Sequence, residues 1–322
     1  MSTIDLIQLN LLSPPILCFF LGMLATAVRS DLRFPEPFYQ GLSIYLLLAI
    51  GIKGGAALSG NAGGGLWLVL LAAVLLSAAT PLWAFPILRW LGRMSTADAG
   101  AVAAHYGSVS IVTFLAGTAF LDALQVPYEG FLPAVVALME IPGIVVALLL
   151  IQRFSGKRTP WTESVGTVLT GKSVFLLLGG LGVGLLSSST GLAKVEPFFV
   201  MPFYGALCLF LLEMGMVTAR RLADFRKVGG FLVGFAVVLP ILHALLGIYV
   251  GQLCGLSRGG AFVLGTLAAS ASYIAAPATI RLAVPQANPG YYLTAALAIT
   301  FPFNLTLGIP LYYTFSNWIF GL

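Results

Sequence analysis

Long apolar runs with short polar punctuation make up most of this chain. A helix that crosses a bilayer needs about 20 mostly apolar residues. Ten segments reach that length, within a few residues at each end: 10–28, 37–57, 66–91, 98–121, 130–152, 172–190, 197–218, 229–254, 259–282 and 290–316. Arginine-containing stretches at Arg29 to Arg33, Arg89 to Arg93 and Arg220 to Lys227 lie between them. The longest polar stretch, Arg153 to Ser164, is too short for a soluble domain and reads as a linker. The pattern predicts an all-α polytopic membrane protein. Its expected parts are a five-helix unit over 1–153, a cytoplasmic linker over 154–171 and a second five-helix unit over 172–322.

Composition agrees: 59% of the 322 residues are hydrophobic and 8% are charged, against roughly a quarter charged in soluble domains. The net charge of +5 does not point to nucleic acid, because the basic residues sit at segment ends rather than on one face. Cys18, Cys208 and Cys254 lie inside apolar runs and are expected to behave as small buried hydrophobes. Residues 1–8 lack the basic start of a cleaved signal peptide, so the first apolar run is expected to stay as a helix.

The two units share a repeat. Glu36-Pro37-Phe38 recurs as Glu196-Pro197-Phe198, each expected to open a helix. Gly100-Ala101 recurs as Gly260-Ala261, and Pro142 in the fifth segment as Pro302 in the tenth. Every pair is 160 residues apart (196 − 36, 260 − 100, 302 − 142). Because each unit has an odd number of helices, the second must enter the membrane from the opposite side. The halves are then inverted repeats about an axis in the membrane plane, a common transporter plan. Of the 16 Lys and Arg, three (Lys53, Lys194 and Arg258) fall on one side and the other 13 on the opposite side. The positive-inside rule puts the 13 in the cytoplasm and both termini outside it.

Two segments interrupt their apolar pattern at matching places. The ninth reads Ser270-Ala271-Ser272-Tyr273 and then Pro277, and the fourth reads Gly107-Ser108-Val109-Ser110 and then Thr113. Proline removes a backbone donor but is tolerated in the first turn of a helix, so Pro277 suits a restart. A broken transmembrane helix leaves amides unpaired at the start of its second half, where the helix dipole also favours an anion. Gly107, Ser108, Ser110, Ser270, Ala271 and Ser272 are therefore the candidate anion site. Freed carbonyls and nearby oxygens suit sodium, which makes Thr113, Glu140, Tyr273, Thr300 and Asn304 candidates for a sodium site or its support. Close helix packing is the competing explanation for the small residues, and a helix–helix hydrogen bond is the competing one for Glu140.

Glu213 reads either as an ion ligand or as a partner for Arg220, and His105 and His243 have no second ligand at metal spacing. The run Gly166 to Ser173 satisfies G-x-x-x-x-G-K-S. That phosphate loop needs a strand before it and a soluble sheet around it, so Lys172 is expected to be an interfacial anchor instead. No hydrolase motif of the H-E-x-x-H or G-x-S-x-G type occurs.

At these residues the chain resembles the SbtA-type sodium-dependent bicarbonate transporters. The matching stretches are Gly107 to Ser110, Met139-Glu140-Ile141-Pro142, Leu211 to Gly215, Ser270 to Pro277 and Phe301 to Pro310. The resemblance implies ten helices in two inverted repeats, with core and gate domains. It also implies inward symport of bicarbonate with sodium, the anion being held between two broken helices. Members are often trimeric, and many are shut by a PII-like cytoplasmic partner. The chain departs from its relatives at Ile111-Val112, where they often carry Gly-Ser, and its central linker is short. The expected protein is thus a bacterial inner-membrane transporter in contact with lipid, with sodium as coupling ion and no cofactor or enzymatic activity. The alternatives are transport of another small oxyanion or organic acid, and an anion channel.

Overall fold

A computed structural model describes residues 3–60, 65–156, 166, 168–222 and 229–322, and among these every regular element is helical. The first segment is a bent pair, α1 (Thr3–Leu11) and α2 (Pro14–Ala27), turned by 61°. Pro14 and Pro15 begin α2 and cannot continue α1. Then come α3 (Glu36–Gly60), α4 (Leu66–Leu91), α5 (Thr96–Gly107), α6 (Ile111–Ala123), α7 (Leu132–Met139) and α8 (Pro142–Ser155). The second half has α9 (Lys172–Leu186), α10 (Ser189–Phe199), α11 (Phe203–Leu222), α12 (Gly229–Leu253), α13 (Arg258–Ala268), α14 (Ala275–Ala283) and α15 (Pro289–Ile319).

Each of the ten predicted segments is thus helical, but fewer pass as spans by length and composition. Among the described residues seven do, or eight if α1 with α2 counts as one. The ninth segment misses because it is broken into halves of 11 and 9 residues. The sixth, α9, has 15 residues, about 22 Å of helix against a hydrocarbon core of about 30 Å.

Two expectations need correction. Glu196-Pro197-Phe198 does not open a helix but lies near the end of α10. Ser188 starts α10 earlier by accepting a hydrogen bond from the Gly191 amide (3.2 Å), and α11 begins only after Pro202. The three cysteines are free thiols of intermediate exposure rather than fully buried: Cys18 and Cys208 lie on helices that bury only part of their surface, and Cys254 lies in the turn after α12. Most of the expected linker, 157–165 and 167, lies outside the described residues.

Two tight crossings recur in the packing. Where α2 meets α11, a Cβ on Gly22 would collide with the Leu212 carbonyl, and one on Gly215 with that of Phe19. Where α3 meets α9, a Cβ on Gly184 would collide with the Ile52 carbonyl, and one on Gly55 with that of Leu181. Each crossing joins a helix of one half to a helix of the other, and the two are related by the repeat: Ile52 and Gly55 lie 160 residues before Leu212 and Gly215, and Phe19 and Gly22 lie 162 before Leu181 and Gly184. Glycine is needed there because the backbones themselves touch. A second recurrence ties helix entries to loops. Glu129, before α7, accepts from the Ser257 amide at the start of α13 (2.6 Å), and Asp98, in the first turn of α5, accepts from the Asn288 amide before α15 (2.7 Å).

Candidate functional site

The two broken helices cross at their breaks. Helix α5 stops at Gly107, and Ser108 and Ser110 adopt extended backbone. Ser110 then caps α6: its hydroxyl accepts from the Thr113 amide (3.1 Å) and the Thr113 hydroxyl (3.0 Å). Serine at this position satisfies an amide that the first turn of a helix leaves unpaired. The second break is longer. Helix α13 ends at Ala268, the Ser270 hydroxyl donates back to the Leu267 carbonyl (2.7 Å), and α14 restarts at Ala275 with Pro277 in its first turn. There the Ser272 hydroxyl accepts from the Ala276 amide (3.2 Å).

Two hydrogen bonds join the breaks. The Ser110 amide donates to the Ser270 hydroxyl (2.8 Å), which links residues 160 apart. The Ser272 amide donates to the His105 carbonyl (2.8 Å), an acceptor freed by the end of α5. Ser108, Ser110, Ser270, Ala271 and Ser272 are all at least 96% buried at this crossing. The Ser108 hydroxyl and the nearby Tyr273 hydroxyl have no hydrogen-bond partner among the described residues. Buried donors of that kind carry a free-energy cost that a ligand oxygen would relieve. Gly107 has a packing role as well: a Cβ on Gly143 would strike its carbonyl, so α5 ends in backbone contact with the start of α8.

The remaining candidates fall into two groups. Thr300 and Asn304 brace the crossing. Thr300 donates to the Ala236 carbonyl (2.6 Å) and bonds the Tyr106 hydroxyl (2.6 Å). Asn304 donates to the Ala269 carbonyl (3.0 Å) inside the second break and accepts from Tyr312 (2.7 Å). Both lie in π-helical turns of α15 around Pro302, whose missing amide disturbs the helical ladder. Glu140 stands apart, at the break between α7 and α8, 2% exposed and with one carboxylate oxygen unpartnered among the described residues. It lines a cavity of about 230 Å³ with Lys172, Thr279 and the first turn of α14.

Ser77 was not among the residues singled out from the sequence. Its single O–H is shared between the Gly107 carbonyl (2.7 Å) and the Met139 carbonyl (2.9 Å), and its oxygen accepts from the Gly143 amide (3.0 Å). It therefore ties the first break to the α7–α8 break, yet a lone serine inside an apolar helix carries no signal of that role. His243 is packed, accepting from the Trp83 indole (2.8 Å), its repeat partner. Glu213 makes no ion pair with Arg220 within 4.0 Å among the described residues.

Two clefts lie near the breaks, one between α3 and α6 and one at the starts of α9 and α14. One of about 570 Å³, toward the far end of α6, is lined by Phe114, Thr118, Asp122 and Lys53, with Lys53 and Asp122 at 4.0 Å. The other is the 230 Å³ cavity beside Glu140. At the start of α6, Ile111, Val112 and Ile274 meet Ser43, Leu46 and Leu47 of α3 with only about 10 Å³ free. No cluster of three or more His, Cys, Asp or Glu suited to a metal occurs among the described residues, whereas sodium draws on hydroxyl and carbonyl oxygens. The family model of the Na+-dependent bicarbonate transporter superfamily matches residues 14–317. No curated protein matches the chain.

Proposed function

Because the chain belongs to the Na+-dependent bicarbonate transporter superfamily, we propose that it is a sodium-coupled symporter that brings bicarbonate into the cell by alternating access. The observation that carries this reading is the crossing of the two breaks, with Ser110 bonded to Ser270 and Ser272 to His105. Bicarbonate is a small oxyanion that takes several N–H and O–H donors. The starts of α6 and α14 supply first-turn amides and the positive ends of two helix dipoles. Ser108, Ser110, Ser270 and Ser272 supply hydroxyls, and neither source brings a fixed cation that would hold the anion too tightly to release. Gly107 and Ala271 keep the lining small.

Sodium is bound beside the anion through oxygens of this crossing. Thr113 and Tyr273 supply hydroxyls, Thr300 and Asn304 hold the surrounding backbone, and Glu140 completes the negative charge on the inner side. Ten helices in two inverted repeats, 1–153 and 172–322, bring the site to the midplane, and the recurring glycine crossings support that arrangement. In this proposal Ile111, Val112 and Ile274, packed against α3 with little free space, are the barrier between an outward cleft at Lys53 and an inward one at Glu140. Rocking of α5–α8 and α12–α15 against α2, α3, α9 and α11 exposes the site to each side in turn. Both termini lie outside the cytoplasm of a bacterial inner membrane. Homotrimeric assembly and a PII-like regulator are the partners that accompany this reading.

Uptake of labelled bicarbonate into proteoliposomes tests it. Uptake should need an inward sodium gradient and saturate, and Ser270→Ala with Ser272→Ala should raise the KM with the yield of folded protein kept. Uptake that ignores sodium removes the coupling, and non-saturating flux points to a channel. Suppression by excess of another small oxyanion or carboxylate, stronger than by bicarbonate itself, moves the substrate assignment.

A further inference from the structure

Away from the breaks, the end of α2, the start of α3 and the end of α11 enclose a polar cavity of about 510 Å³. Three guanidinium-bearing residues line it, Arg29, Arg33 and Arg220, together with the carboxylates of Glu36 and Glu213. Among the described residues none of these opposite charges pairs within 4.0 Å. Glu36 is engaged elsewhere, accepting from the Gln40 side-chain amide (3.0 Å). Glu213 is only 9% exposed, and one of its carboxylate oxygens is buried without a hydrogen-bond partner. A buried carboxylate lacking a partner is costly, so among the described residues the cavity is incomplete at both poles: the arginines have no anion within 4.0 Å, and Glu213, although Arg220 acts on it electrostatically, has no N–H donor in hydrogen-bond contact.

One ligand chemistry completes both. We infer that this cavity binds a zwitterionic aminoalkyl phosphate, with the phosphate on Arg29, Arg33 and Arg220 and the primary ammonium on Glu213. Guanidinium groups match phosphate oxygens in bidentate geometry, and an ammonium offers three donors to a carboxylate. A simple anion would leave Glu213 unpaired and would be repelled by it. The membrane supplies this chemistry as the phosphatidylethanolamine headgroup. The cavity lies at the ends of three apolar helices, and Leu17, Leu21 and Leu24 on α2, with Val28 just after its end, form an exposed apolar stripe that leads to it, suited to an acyl chain. The inference does not depend on which solute is transported.

Titration of the purified full-length protein with defined lipids, read by native mass spectrometry, tests it. Phosphatidylethanolamine should bind about tenfold more tightly than phosphatidylglycerol, which lacks the cation, or phosphatidylcholine, whose ammonium has no N–H; tenfold is the scale of one charge-assisted hydrogen bond. Glu213→Gln should erase that preference, and Arg33→Gln, on the loop before α3, should weaken binding of all three. An absent preference overturns the inference, as does a preference that survives in folded Glu213→Gln. If Glu213→Gln does not fold, unchanged binding in Arg33→Gln overturns it instead. Free phosphoethanolamine decides the source: displacement of the lipid supports the site and assigns it to a soluble zwitterion, whereas no displacement alongside selective lipid binding supports the site and assigns it to the membrane.

Discussion

The break between α5 and α6 and the break between α13 and α14 occupy matching places in the two halves, but they are held very differently. The first is three residues long and is tied from several directions. Ser77 holds its Gly107 carbonyl, Gly143 lies against its backbone, and Ser110 caps the helix that follows. The second runs through six residues, from Ala269 to Ile274. It is held by Asn304 on the Ala269 carbonyl and by the hydrogen bonds of Ser270 and Ser272, but over twice the length, and its Tyr273 hydroxyl has no partner in hydrogen-bond geometry among the described residues. A crossing built from one rigid and one loosely held arm can keep its geometry while part of its lining adjusts to an ion. In this reading the first break is the scaffold and the second the adaptable wall.

The largest effect should come from crowding the scaffold. Gly143→Ala places a methyl group against the Gly107 carbonyl, where both partners are backbone and neither can swing away. Overpacking of this kind costs about 3 kcal/mol, so the variant should melt well below the parent in detergent or yield no monodisperse protein. Normal thermal stability for Gly143→Ala would mean that α5 and α8 can part, and the first break would lose its claim to rigidity.

Next come the two braces. Ser77→Ala leaves the Gly107 and Met139 carbonyls and the Gly143 amide without that hydroxyl, and buried groups left unpaired cost about 1–3 kcal/mol each before relaxation. Asn304→Ala strips the Ala269 carbonyl and the Tyr312 hydroxyl. The comparison predicts that Ser77→Ala chiefly lowers thermal stability, whereas Asn304→Ala chiefly raises the KM for bicarbonate or sodium. If the two variants exchange these signatures, the roles of the two breaks are reversed.

Much of this arrangement is legible in the chain, for identifiable reasons. Apolar runs near 20 residues mark helices because the bilayer leaves backbone groups few other ways to pair, and all ten predicted segments are helical. The breaks are readable too, since Ser108, Ser110, Ser270, Ser272 and Pro277 interrupt that apolarity at matching positions. What the sequence hides is pairing at a distance. Nothing local marks Ser77 as the tie between two breaks, or the Ala269 carbonyl as the partner of Asn304, because both contacts depend on which carbonyl arrives nearby. The Glu196-Pro197-Phe198 repeat misleads for the same reason: a motif copy does not fix where a helix begins when Ser188 caps an earlier start. The Arg29–Glu213 cavity likewise joins residues 184 positions apart in the chain (213 − 29).

The smallest expected effect on folding bears most directly on the adaptable wall. Tyr273 packs its ring edge against Phe301, with centroids 5.1 Å apart, and keeps its hydroxyl buried and unpartnered. Tyr273→Phe keeps the ring and deletes the oxygen, so only a contact with Ser110 that falls short of hydrogen-bond geometry is lost. Stability should change by no more than about 0.5 kcal/mol, with a slight rise as the natural direction, because an unsatisfied polar group leaves the interior. If the hydroxyl is held ready for an ion, transport should respond out of proportion: a KM for sodium or bicarbonate raised severalfold on an unchanged melting curve. A variant unchanged in both measurements would make Tyr273 a packing residue, and the second break would then owe its looseness to its length alone.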